Sequence, residues 1–247
     1  MSRLRAKSAP VQLLKVDGIP APVEIRRHPT ARRLTLRVSH SARTVQLTIP
    51  RYTDFREADR FLASNRDWVI ERLEGVPEPV PFADGAIIPL RGIEHVVHFA
   101  GRSTGRGVVS IETPTDGKRP VLAVTGDREH APRRLRDWLM AEARRDLDAR
   151  CWHHAETLGL KARRITVRDQ KTRWGSCSSD GQLSFSWRLI LAPPFVLDYV
   201  AAHEVAHLAE MNHGPKFWTL VKTAMPRLEE AKLWLRTKGV DLYRYGA

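Results

Sequence analysis

Within "DYVAAHEVAHLAEMNHGPKFW", residues 198–218, three of the chain's ten histidines fall in eleven positions, with a glutamate beside the first. Residues four apart on a helix share a face, with β-carbons roughly 5–6 Å apart. His203 and His207 can therefore turn their imidazoles toward one ion, at the roughly 2.0–2.1 Å that a zinc–nitrogen bond needs. Glu204 sits one step round the helix, adjacent to such an ion without stacking on its ligands. That suits a carboxylate that handles the proton of an attacking water, the chemistry for which His-Glu-x-x-His is a zinc-hydrolase pattern. A catalytic zinc needs a third protein ligand and an open fourth position, and His213 follows where the chain must turn back. The bland alternative is a set of satisfied core histidines. Three imidazoles and a carboxylate on one inward stripe would then all need buried partners, so the metal reading is the better supported.

The spacing from His207 to His213 matches the metzincin arrangement, but position 210 is Glu where those enzymes have glycine. Met225 also follows too soon, in too helical a stretch, to be their Met-turn. The ligand geometry is thus expected to be shared, and the family not. Two glycine-capable positions, Asn212 and Gly214, are expected to reverse the chain after the helix. The other seven histidines show no comparable arrangement; His153 and His154 are expected on a helix surface.

Several elements must position these groups. Pro193-Pro194 stops a strand and can open the zinc helix, since proline fits a first helical turn. Upstream, "ARRITVRDQKTRWGSCSSDGQLSFSWRLILAP" reads as strands joined by turns, with Asp180-Gly181 the strongest hairpin signal. Its segment "LSFSWRLI" is expected to be an edge strand to which an extended peptide could pair. Apolar residues every four positions from Leu135 to Ala155 predict a long amphipathic helix from about Ala131 to near Gly159. Helices are also expected from Pro215 and from Pro226, the last closed by Gly239.

The first half is expected to be strand-rich. Leu34, Leu36 and Val38 alternate with polar residues, as do Val45, Leu47 and Ile49, with "SHSAR" as the turn between them. One helix is expected over residues 54–73, capped by Thr53 or Asp54, followed by the breaker "GVPEPVPFADG". Short strands are expected in "AIIPLRGIEHVVHFAG", "GVVSIET" and "PVLAVTG". The fold class is therefore α+β: a basic tail over residues 1–20, a strand-rich region over 21–126, and a small zincin-like metallopeptidase core over 127–247.

Composition narrows the setting. At 247 residues the chain can bury a real core, and 42% hydrophobic with 28% charged residues is ordinary for a folded protein. No apolar run reaches the length of a membrane span, and no secretory signal is visible at the N-terminus. The two cysteines, Cys151 and Cys177, exclude a disulfide scaffold and suit a reducing cytoplasm. The formal charge of +13 is uneven: residues 1–60 hold 13 Lys+Arg against 5 Asp+Glu, and residues 126–194 hold 14 against 9. Such a balance favours an anionic partner such as nucleic acid, although no nucleic-acid-binding motif accompanies it and it could serve solubility alone.

The run "RWGSCSSDGQLSFSWRLILAPPFVLDYVAAHEVAHLAEMNHGPKFW", residues 173–218, resembles the YgjP-like zinc metallopeptidases, bacterial relatives of SprT-like and WLM proteases. RWGSC, WRL, HExxH and NHxxxFW in that order carry the resemblance, which extends more weakly back to about residue 23. It implies Zn2+ on His203, His207 and His213, with Glu204 catalytic. Ser186 stands where many relatives have Asn, and Gly214 where many have Ser. Arg173, Ser186, Trp187 and Tyr199 are the candidate substrate-binding residues, with Arg173 or Tyr199 also placed to stabilise an oxyanion; for most of Trp174, Cys177, Phe185 and Trp187 a place in the core is the expected role.

The expected function is a cytoplasmic zinc-dependent metalloendopeptidase acting on a peptide or protein substrate. Two other readings stand beside it. One is a DNA-associated SprT-like protease recruited by the basic N-terminal region; the other is a non-catalytic, zinc-stabilised binding module, against which an intact Glu204 speaks.

Overall fold

A computed structural model describes residues 12–39, 43–101, 107–115, 117–170 and 172–246. The chain divides into two compact units at Glu78/Pro79. The sequence placed the division at residue 126. The strands between 87 and 125 instead share one continuous core with everything that follows, because their inward residues Ile88, Val97, Leu122 and Val124 pack in the same apolar cluster as Leu135 and Leu139.

The first unit is a sheet backed by two helices. Strands β1 (Gln12–Leu14), β2 (Val23–His28), β3 (Thr35–Ser39) and β4 (Thr44–Pro50) lie in the order β1-β2-β4-β3, with β2 and β4 parallel and the outer pairs antiparallel. Residues 12–20 are therefore not a tail: β1 adds to the sheet, and Ile19 is buried. Residues 1–11 and the middle of the "SHSAR" turn lie outside the described residues. Val23, Ile25, Val45, Leu47 and Ile49 face inward, as alternation requires, against Ala58, Leu62, Val69 and Leu73.

Those last four come from two helices rather than one, α1 (Phe55–Ser64) and α2 (Arg66–Glu74). Asp54 caps the first, its carboxylate accepting from the Arg56 N–H at 3.2 Å. Asn65 breaks the run because its side-chain amide donates to the Phe61 carbonyl at 2.7 Å, competing with the helix ladder.

The second unit holds two sheets and four helices. Strands β5 (Ile87–Leu90), β6 (Ile93–Gly101), β7 (Val109–Glu112) and β8 (Val121–Thr125) order as β5-β6-β8-β7. Helix α3 (Ala131–Thr157) crosses the core with Leu135, Leu139, Ala143, Leu147, Cys151 and Ala155 all buried, at the spacing the sequence shows. It ends as expected at Gly159, which takes the left-handed conformation at φ +65°. Strands β9 (Arg164–Arg168), β10 (Gly175–Cys177) and β11 (Gln182–Ser186) form a sheet ordered β10-β11-β9, with the Asp180-Gly181 hairpin joining β10 to β11. Helices α4 (Pro194–Ala206), α5 (Pro215–Ala224) and α6 (Leu228–Lys238) complete it. No helix among the described residues is long and apolar enough to cross a membrane.

One turn braces the approach to α4. Arg91 and Gly92 form the two-residue β5–β6 turn, both at positive φ (51° and 78°), the combination a type I′ hairpin demands. Arg91 is not glycine, yet it is held. Its guanidinium grips Asp146 with two bonds of 2.7 Å and Glu142 at 2.9 Å, both on α3. The Arg91 and Gly92 N–H groups donate to the Ile190 and Leu191 carbonyls, just ahead of Pro193. The brace thus joins a sheet, the long helix and the start of α4.

Candidate metal centre

Helix α4 begins at Pro194, with Pro193 at its N-cap, as proline's missing N–H allows. Val196, Leu197, Val200, Ala201, Ala202, Val205 and Ala206 are all buried, so the helix is enclosed on every side and not along one stripe. His203 lies in its last turn and His207 at its C-cap. The chain then reverses without a left-handed residue: Gly214 is extended (φ −81°, ψ −177°) and caps α5, which brings His213 back over α4.

His203, His207 and His213 converge. Their candidate ligand nitrogens all lie within 4.8 Å of one another, and they are the cluster among the described residues suited to hold a metal. The Nε2 atoms of His203 and His213 face each other at 3.1 Å, close to the roughly 3.3 Å that two nitrogens keep around a tetrahedral zinc at 2.0–2.1 Å. His207 donates its Nδ1–H to the Glu210 carbonyl at 3.0 Å. This fixes the tautomer and leaves Nε2 with a free lone pair, the usual support for a metal-bound imidazole. Glu210, where metzincins have glycine, thereby contributes its carbonyl. Burial, with the neighbouring His207 and His213, holds the His203 pKa down at about 4. Burial also lowers that of His207. Both shifts favour the neutral ring that a metal ligand must be. The donor set fits a zinc ion.

Phe217 forms the floor. It is fully buried, and its ring centroid lies 4.9, 4.5 and 4.7 Å from those of His203, His207 and His213. Trp218 lies 5.8 Å from His213 and 6.0 Å from His203, with the Lys232 ammonium 4.9 Å over its ring. The sequence marks Phe217 only as part of an apolar stripe. Its contact with all three imidazoles depends on how α5 folds back, which spacing within α5 does not encode.

Glu204 is buried on α4, beside β10. Burial pushes its carboxyl pKa up to about 7, opposed by the charge of Arg173. A carboxyl poised near neutrality can both take and give a proton.

The four candidate substrate residues divide. Tyr199 packs edge-on to His203 at 5.8 Å, its hydroxyl pKa pushed up to about 12 by burial. Arg173 is exposed near Glu204. Ser186 and Trp187 do not reach a substrate, because both are fully buried. Ser186 caps a 3₁₀ segment, Trp187–Leu191, that replaces the expected end of the strand. Trp187 donates its indole N–H to Asp169 at 3.1 Å and meets Phe82 edge-on.

"LSFSWRLI" is not an edge strand either. β11 lies between β9 and β10 and spends its hydrogen bonds on both, so β10 is the strand at the edge beside α4. His154, expected on a surface, is fully buried on α3 and donates from Nε2 to Asp198 of α4 at 2.6 Å, where Arg150 also binds.

No match to a curated protein sequence was found. A crystal structure of the metallopeptidase zymogen of Pyrococcus abyssi abylysin aligns with 37% of this chain and 95% of that one, at 20% identity and a TM-score of 0.34, too low to bear on the fold. The YgjP-like metallopeptidase domain model matches residues 32–238. This span holds both the histidine cluster and Glu204, and the chain belongs to the YgjP-like metallopeptidase family.

Proposed function

We propose that this metallopeptidase is a zinc-dependent endopeptidase in which His203, His207 and His213 hold the metal and Glu204 is the general base. The convergence of three ligand nitrogens within 4.8 Å, with a buried carboxyl on the adjacent helical position, carries the reading. Bound there, zinc supplies Lewis acidity, polarising a carbonyl and lowering the pKa of water. Glu204 accepts the proton of the attacking water on a carboxylate oxygen. It then delivers that proton to the departing amine nitrogen, so the leaving group departs neutral. Phe217 backs all three imidazoles and Tyr199 backs His203, while His213 stays open to solvent, and the Glu210 carbonyl holds the His207 ring in orientation.

The substrate is a peptide or protein segment in extended form. Among the described residues the outer edge of β10 is unpaired and offers it main-chain hydrogen bonds beside α4, and the charge of Arg173, which acts on Glu204, serves to stabilise an oxyanion. A reducing compartment such as the cytoplasm suits Cys151 and Cys177, neither of which is in a disulfide.

A peptide library presented to zinc-loaded protein, alongside Glu204→Gln, tests the reading. Cleavage by the parent and a loss of about 10²–10⁴-fold or more in the variant, with zinc retained, is expected. Equal rates from the two proteins would remove Glu204 from the chemistry.

A further inference from the structure

Gly175, the glycine of "RWGSC", has no conformational reason to be glycine. It is absent from the positive-φ residues, and its neighbours in β10 pair regularly with β11. Its register explains the residue instead. Gly175 stands opposite Phe185, and Cys177 opposite Leu183; Phe185 and Leu183 are fully buried. Side chains alternate along a strand, so position 175 points inward, toward α4. A β-carbon there would lie 2.6 Å from Glu204 Cγ, 2.6 Å from Oε1 and 2.8 Å from Cδ. These separations are far inside van der Waals contact. Glu204 cannot easily retreat, because it is buried itself and its helix is enclosed on every side.

We propose that Gly175 is the positioning residue for Glu204: the carboxylate occupies the volume a side chain at 175 would fill, so β10 sets where the base sits. This rests on the reading of Glu204 as general base. It adds that the glycine is kept by the carboxylate's need for space and not by the strand's need for flexibility. The three atoms nearest a β-carbon at 175 all belong to Glu204 and none to a histidine, so metal binding should not depend on it.

Gly175→Ala is the test, set against two Glu204 backgrounds. Alone, it should retain zinc, lower Tm by several degrees, and lower kcat at least tenfold on a library-selected peptide with KM changed less than threefold. Glu204→Gln keeps the side chain's shape. Adding Gly175→Ala to it should therefore lower Tm again but reduce activity less than twofold further. Glu204→Ala empties the slot, so there the glycine substitution should lower Tm by less than half as much. If Gly175→Ala does not fold alone, a folded Gly175→Ala/Glu204→Ala protein supports the proposal and an unfolded one overturns it. An equal Tm loss in the Glu204→Ala background, or wild-type kcat and Tm for Gly175→Ala, also overturns it. The thermal comparison needs no substrate, so it decides this point even if Glu204 proves not to be the base.

Discussion

A buried carboxyl retained for chemistry should weaken the fold that carries it, and Glu204 gives a measurable case. In the metal-free protein its pKa is about 7, against an ordinary 4.5, because burial disfavours the charged form. The unfolded chain therefore loses this proton as pH passes 4.5, while the folded protein holds it until about 7. Stability falls across that window, and the full cost stands above it. At 1.36 kcal/mol per pH unit the cost is about 3 kcal/mol. Glu204→Gln keeps the volume and discards the charge, so the chelated variant should be more stable than the chelated parent by about that much at pH 8.5. Near pH 4 the two should be almost level. Urea denaturation followed by tryptophan fluorescence reads the right unit, since six of the seven tryptophans lie after residue 78. Restoring zinc should narrow the gap, because a cation beside the carboxyl favours its ionised form. Equal stabilities of the chelated proteins at pH 8.5 would refute the account of Glu204 as a desolvated acid.

Other perturbations separate ligands, floor and frame. His213→Ala should sharply lower zinc occupancy in metal analysis of purified protein, whereas full retention would show that the third ligand lies elsewhere. Phe217→Ala should destabilise the protein by about 3–5 kcal/mol in chemical denaturation, as deletion of a fully buried ring does, and should weaken metal affinity by freeing all three imidazoles. Hydrogen bonds from His154 and Arg150 outweigh burial and hold the Asp198 carboxyl below its ordinary 3.8. Its contribution is present above that value and lost as pH falls through the lower folded one, so Asp198→Asn should flatten the acid limb of the stability profile. Nucleic acid, should the basic residues bind it, should be released steeply between low and physiological salt in a mobility-shift assay; salt-indifferent binding would contradict a charge-driven contact.

The metal cluster was legible because its information is local. His203 and His207 are neighbours by helical geometry alone, and His213 follows within a reach that any tight reversal can close. Helix α3 is legible for a related reason, its apolar residues recurring every four positions from Leu135 to Ala155. What spacing could not supply was the order of strands. Alternation shows that "QLSFS" is a strand with Leu183 and Phe185 inward, but not that β9 returns to lie parallel on its outer side and closes its free edge. A substrate role for Ser186 and Trp187 depends on that edge, and the core position that Trp187's type also suits is the one both residues take. The burial of His154 is not legible from its own helix because its partner, Asp198, is 44 residues away on another one. The unit boundary was missed because the proline-rich stretch after residue 75 marks a break without saying which side the next strands join.

The parallel pairing of β2 with β4 bears on how the protein can be cut. The match to the family model begins at residue 32, after β2 has ended. A chain trimmed to that boundary would lose Val23 and Ile25 and expose one full side of β4, whose Val45, Leu47 and Ile49 are otherwise enclosed. A bare, apolar strand edge is a template for aggregation. Stopping at residue 238 would remove Tyr243, whose ring stacks on Trp174 at 4.9 Å, next to Gly175. Fragments for expression are better begun ahead of β1 and carried through Gly246, so that insolubility caused by a severed ladder is not taken for a property of the enzyme.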